Sequence, residues 1–153
     1  MDPFSKILEL LQSHRVKFEK IEHEPVYTSE QAAAVRGISL ESGAKSLLLK
    51  AKGGFVLVVV PGSKRIDSKK IKKILQVKDI RFASPEEVKE QMGCEVGSCY
   101  PLGNVAGLRT LVDTSLSQND TISFNPGRHD TSIKMRYADY QRIADPEVVE
   151  VIS

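Results

Sequence analysis

Lys45 stands at the head of an apolar run, Ser46-Leu47-Leu48-Leu49, so a fixed positive charge adjoins a segment suited to a sheet interior. A lysine ammonium is a compact point charge that can hold a phosphate or ribose oxygen. Far downstream, Gly97-Ser98-Cys99-Tyr100-Pro101 combines a glycine, which allows close backbone approach, with a proline, which fixes its own φ. Backbone donors of such a loop, aimed at a developing oxyanion, are worth about 3 kcal/mol each. Each feature alone has an ordinary reading. Most lysines are solvated, and most glycine-bearing stretches are connections.

Cys99 invites a nucleophilic reading, but an activated thiolate needs a base or cation beside it, and the sequence shows none. Loop packing is the simpler role for this thiol. Cys94 and Cys99 are the only cysteines, too few for a disulfide scaffold. His14, His23 and His129 are scattered without ligand-like pairing, so neither a metal nor a cofactor is expected. There is no Gly-x-Ser-x-Gly elbow, no phosphate-binding loop and no two-histidine helix motif. Gly43-Ala44-Lys45-Ser46 resembles the end of a phosphate loop, yet no glycine precedes Gly43 at the needed spacing.

The elements that must position these residues are well punctuated. Asp2 and Pro3 suit a helix start, with Phe4, Ile7, Leu8 and Leu11 on one face. Val16 and Phe18 alternate with Lys17 and Glu19 as a strand. Thr28 and Gln31 read as a capping box before an alanine-rich helix that Gly37 stops. Gly53-Gly54 between Ser46–Leu49 and Phe55–Val60 predicts a hairpin of central strands. Asp67 caps a helix carrying Ile71, Ile74 and Leu75, and Ser84-Pro85-Glu86-Glu87 opens another that Gly93 ends. Strands follow at 110–113, 121–124 and 132–136, then a helix over 138–143.

The 153 residues carry 41% hydrophobic and 27% charged side chains, ordinary globular values. Lys plus Arg count 22 against 20 acidic residues, which excludes a strongly basic nucleic-acid coat and leaves room for a local basic patch. The longest apolar run, Phe55 to Pro61, falls far short of the ~20 residues of a membrane span. The N-terminus lacks the basic and apolar regions of a signal peptide, so a cytoplasmic protein is expected. The order of elements predicts one α/β domain of the α+β type over residues 1–153, with a mixed sheet.

His23-Glu24-Pro25, the stretch Thr28 to Gly37, and Gly43-Ala44-Lys45-Ser46-Leu47-Leu48-Leu49 together resemble the YbaK/ProX-type aminoacyl-tRNA editing family. The resemblance continues through Val59-Val60-Pro61-Gly62, Arg65-Ile66-Asp67, Phe82 to Val88 and the Gly-x-x-x-Pro loop from Gly97 to Pro101. It ends in Leu111-Val112-Asp113 and Phe124-Asn125-Pro126-Gly127-Arg128. The family resembles the editing insertion of bacterial prolyl-tRNA synthetase. It implies a mixed, mostly antiparallel curved sheet or partial barrel with flanking helices. It also implies a trans-editing deacylase acting on misacylated tRNA, with tRNA-Pro carrying Ala or Cys as the expected substrate. Misacylated tRNA is then the partner, an aminoacyl-tRNA synthetase a second one, and neither DNA nor membrane is expected.

On this resemblance Lys45, Gly97 and Pro101 take the catalytic positions. Ser98, Cys99, Tyr100, Asn125, Gly127 and His129 fall in the substrate-binding region. Tyr100 replaces a small residue found before the proline in several branches, which suggests a narrowed pocket mouth. Ser132 replaces the Asp of some cysteine-directed members, which counts against cysteine specificity. Lys64, Arg65, Lys69, Lys70, Lys72 and Lys73 form either a solvated helix face or a contact for the tRNA backbone. Two alternatives stay open: a non-catalytic tRNA- or synthetase-associated module using the same pocket, and regulation by a free amino acid or nucleotide.

Overall fold

The computed structural model describes residues 2–153. Helix α1 (Pro3–Ser13) begins where Asp2 accepts a hydrogen bond from the Ser5 N–H, and it buries Ile7 and Leu11 completely. After β1 (Phe18–Glu22), α2 (Ser29–Arg36) starts at a Thr28 cap and ends at Gly37, whose φ of +66° suits glycine. The expected capping box is only half made. Thr28 accepts from the Gln31 N–H, but Gln31 Oε1 accepts from the Tyr27 N–H, one residue before the cap.

Strands β2 (Ala44–Ala51) and β3 (Gly54–Pro61) form the expected hairpin, with Ala44 opposite Pro61 and Ala51 opposite Gly54. β3 is buried on both faces, which explains its continuous apolar sequence. Leu57 and Val59 share a core with Ile7 and Leu11 of α1. Val56, Val58 and Val60 pack with Ile71 of α3 (Ser68–Leu75) in a second core on the opposite face.

The chain continues through β4 (Ile80–Phe82), α4 (Pro85–Met92), β5 (Arg109–Asp113), β6 (Thr121–Phe124), β7 (Thr131–Arg136), α5 (Tyr137–Ala144) and β8 (Glu147–Val149). The expected α+β class with mixed, mostly antiparallel strands is present; the strands form two sheets, ordered β1-β7-β6 and β4-β2-β3-β5-β8, and neither closes into a barrel. They touch through one parallel bridge, Gly43 to Ser123, just before β2. Most pairings are antiparallel, whereas β5 runs parallel to both β3 and β8. Parallel neighbours need long crossovers. Between β3 and β5 that crossover carries α3, β4, α4 and the Gly97 loop, and so brings this loop back beside β2.

Candidate active site

A cavity of about 310 Å³ opens between α2, the first half of β2 and the Gly97 loop. The helix makes room because it presents Ala32 and Ala33 rather than longer side chains. Lys45, Gly97, Cys99 and Asn125 all line this space. Its charged wall residues are Lys45 and Arg36, and no acid is among them.

Lys45 is the second residue of β2, opposite Val60, rather than the residue before the strand. Its Nζ donates to the Lys64 carbonyl at 2.7 Å. Burial pushes the ammonium below the usual lysine range; Glu30 opposes that shift and Arg65 adds to it. The exposed side chains of Lys64 and Arg65 continue this positive character onto the surface, where α3 exposes Lys69, Lys70 and Lys73.

The Gly97 loop is a partition. Gly97 and Cys99 face the cavity, whereas Cys94 and Ser98 face a second hollow of about 410 Å³ shared with Gly127 and His129. Gly97 has φ +93°, a backbone conformation that L side chains rarely adopt. The Cys94 thiol donates to Cys99 Sγ at 3.7 Å. That bond raises the Cys94 pKa and lowers that of Cys99, which the Gly97 N–H also supports. The Ser98 N–H is engaged with the Glu95 carbonyl and is therefore occupied by the backbone just before the loop.

Tyr100 does not narrow the mouth. Its side chain is 1% exposed, lies outside both hollows, and donates from its hydroxyl to the Met92 carbonyl at 2.8 Å. Alternation along the loop turns Cys99 toward the cavity and Tyr100 into the core. Pro101 is also buried away from the cavity, and its carbonyl accepts from the Tyr140 hydroxyl at 2.9 Å. Both residues hold the loop from behind. Ser98 donates to the Glu95 carbonyl, and the Gly127 N–H donates to the Ser98 carbonyl. His129 Nδ1 must carry the hydrogen it shares with the Val26 carbonyl, since a carbonyl only accepts. Its ring packs 4.5 Å from that of Tyr27, and its Nε2 lies 3.5 Å from Glu95 Oε2.

Two cavity residues escaped the sequence reading. Ser46 has a buried Oγ without a hydrogen-bond partner, and the available signal is the lone hydroxyl in β2. Arg36 reads as an ordinary cation at a helix C-terminus. In the fold it is 5% exposed and bonded to Ser123, Asn125 and Ser132. Nothing local in the sequence signals these distant partners.

Residues 23–143 match the aminoacyl-tRNA editing domain family. The chain is 33% identical over 149 residues to the multifunctional Ser/Thr-tRNA deacylase ProXp-y of Escherichia coli (strain K12), covering 94% of this chain and 89% of that protein. It is 40% identical over 92 residues to a proline–tRNA ligase of Bacillus licheniformis, covering 60% of this chain and 16% of the ligase. The fold is similar to that of a proposed trans-editing enzyme for prolyl tRNA synthetase, with TM-score 0.88, 21% identity, and coverage of 100% of this chain and 98% of that one. The hypothetical protein APE2540 is equally similar, with TM-score 0.88, 24% identity and coverage of 97% and 99%.

Proposed function

Because the chain belongs to the aminoacyl-tRNA editing domain family, we propose that it is a trans-editing hydrolase that cleaves the ester of misacylated tRNA. The observation that carries this reading is the meeting of Lys45 and Gly97 on one cavity, although they lie in separate parts of the chain. Lys45 anchors a phosphate or ribose oxygen of the terminal adenosine at the cavity edge, and the exposed Lys64 and Arg65 extend the contact along the tRNA backbone. The Gly97 loop bounds the amino-acid moiety, so the cavity selects by size and excludes larger side chains by clash. An aminoacyl ester is already activated, and water positioned against it suffices as nucleophile. The reaction takes place in the cytoplasm, where an aminoacyl-tRNA synthetase produces the errors.

For the amino acid, the resemblance suggests Ala or Cys on tRNA-Pro. Ser or Thr is the alternative, and Ser46, a residue of the cavity wall, has the one side-chain hydroxyl of β2. The name of the Escherichia coli relative, a Ser/Thr-tRNA deacylase, points the same way. The deciding experiment is a deacylation panel of tRNA charged with Ala, Cys, Ser, Thr and Pro. Cleavage of small misacylated residues with prolyl-tRNA left intact is expected. Rapid cleavage of prolyl-tRNA would refute selection by size, and no cleavage of any member would favour a non-catalytic binding module.

A further inference from the structure

Arg36 is a buried cation without a counter-charge. Its Nε donates to Ser132 Oγ at 2.9 Å, Nη1 to Ser123 Oγ at 3.0 Å and Nη2 to Asn125 Oδ1 at 2.7 Å. All three acceptors are neutral, and among the described residues no carboxylate lies within ion-pair distance of it. Burial pushes its pKa down to about 10, which leaves the guanidinium charged at neutral pH. A buried charge left unpaired is costly, and neutral hydrogen bonds offset only part of that cost. Of its five N–H groups, one on Nη1 and one on Nη2 have no partner among the described residues. The residue lies on the cavity wall, where the other charge is also positive.

Arg36 also fixes what its neighbours can offer. A guanidinium only donates, so Asn125 must turn its oxygen toward it. The Asn125 amide nitrogen then donates to the Arg128 carbonyl at 2.9 Å and keeps a second hydrogen, on a residue that lines the cavity. Behind them, Ser132 accepts from Arg36 and stands 2.7 Å from His23 Nε2. His23 Nδ1 faces the Glu24 carbonyl and must carry the hydrogen there, so in the neutral ring Nε2 accepts from the Ser132 hydroxyl. Of the network's free donors, those of Arg36 and Asn125 belong to residues on the cavity wall, whereas Ser123, whose hydroxyl hydrogen is also unengaged, does not line the cavity.

We propose that Arg36 and Asn125 form an anion subsite that takes the carboxylate of a free small amino acid. The identity of that ligand rests on the deacylase reading above. In ester hydrolysis water adds to the carbonyl carbon, the bond from that carbon to the ribose oxygen breaks, and the ribose oxygen takes up a proton. The products are the tRNA hydroxyl and an amino acid carboxylate, with one proton released to solvent. Negative charge on the carbonyl oxygen grows from ester to tetrahedral intermediate and persists in the carboxylate. A fixed cation there favours the later species over the neutral ester, which is the differential binding that accelerates a reaction. The same preference makes the free amino acid a ligand and a competitive inhibitor.

The test compares L-serine and L-alanine with their primary amides, at a mildly acidic pH where acid and amide carry the same ammonium. Binding is followed by calorimetry and by the Nε–H NMR signal of Arg36. The acids should bind at least roughly tenfold more tightly than the amides and shift the Arg36 signal, whereas the amides should leave it in place. Arg36→Met and Asn125→Ala should each lose the preference, and the second keeps the Arg36 charge should the first fail to fold. Equal binding of acid and amide, an unmoved Arg36 signal, or no binding at tens of millimolar would overturn the subsite. Acid-selective binding without cleavage of any charged tRNA would leave the subsite standing and remove the deacylase reading. Cleavage without acid selectivity would do the reverse.

Discussion

The Nζ of Lys45 reaches across to the backbone carbonyl of Lys64, 2.7 Å away, so the ammonium is held at the cavity edge instead of sweeping through solvent. A tethered cation has lost its conformational freedom before the substrate arrives, which makes its contribution one of position as well as charge. Lys45→Ala should reduce deacylation at least tenfold, about 1.4 kcal/mol in the transition state, with Tm almost unchanged. Because burial depresses the Lys45 pKa, wild-type kcat/KM should fall on the alkaline side before an ordinary lysine would titrate. Unchanged turnover in the variant would remove the assigned role, and a large drop in Tm would make the residue structural.

Gly97→Ala tests the partition. A Cβ at this position would lie 3.4 Å from His129 Cε1 and 3.8 Å from the Tyr27 carbonyl oxygen, both ordinary contacts. Space is therefore not the obstacle; the φ of +93° is. An alanine there costs about 1–3 kcal/mol in backbone strain or forces the loop to move. Both Tm and deacylation of the smallest good substrate should fall. A variant with wild-type Tm and wild-type rate would show that the loop tolerates a relaxed conformation.

Cys99 lines the cavity but has only another thiol and backbone groups as hydrogen-bond neighbours, with no general base among them. Cys99→Ser and Cys99→Ala should both keep substantial deacylation activity, whereas alkylation should inhibit by filling the cavity. Loss of turnover in both variants, with folding and substrate binding intact, would restore a covalent mechanism.

Tyr100→Phe removes a buried hydrogen bond to the Met92 carbonyl and should cost about 1–2 kcal/mol of stability, read from urea unfolding. The ranking of charged tRNA substrates should not change, since the ring is not at the mouth. A broadened ranking would place the side chain functionally in the pocket.

Glu87 receives two bonds from Arg81, at 2.7 and 3.0 Å, and one from the Ser84 N–H at 2.8 Å. The Arg81 bonds first, and then the Ser84 N–H, lower its pKa from the usual 4.5 to about 2. A depressed carboxylate pKa stabilises the fold above the unfolded value, and the gain is lost as pH falls toward the folded one. The Tm of Glu87→Gln should therefore lie below that of wild type at neutral pH, and the gap should close between pH 4.5 and 2. A gap independent of pH would mean that the carboxylate charge contributes nothing.

The sequence made legible those parts of the fold that depend on neighbouring residues. The Asp2 and Ser84 caps, the Gly53-Gly54 hairpin and the stop at Gly37 follow from local backbone chemistry. β4 and β8 escaped because each has three residues, too few for an alternating pattern to stand out. The division into two sheets depends on where Gly43 meets Ser123, a contact between distant segments. In the candidate site, Lys45 and the Gly97 loop were visible through their family resemblance. Tyr100 is expected from the sequence to narrow the pocket mouth, whereas its ring fills the core. Arg36 was missed because its partners lie 87 to 96 positions away.

Phe18 of β1 pairs with Met135 of β7, and Glu22 with Thr131, so the first strand of the chain waits for nearly the last. β2 and β3 face no such delay, since a turn at Gly53-Gly54 joins them directly. During synthesis the hairpin bearing Lys45 can close early, while β1 remains an unpaired edge until residue 136 has emerged. The early strand carries Glu19, Lys20 and Glu22 among its five residues, and such charges discourage pairing with strands of other chains. The topology thus sets an order of assembly, and the charges on β1 protect the nascent chain through its longest wait.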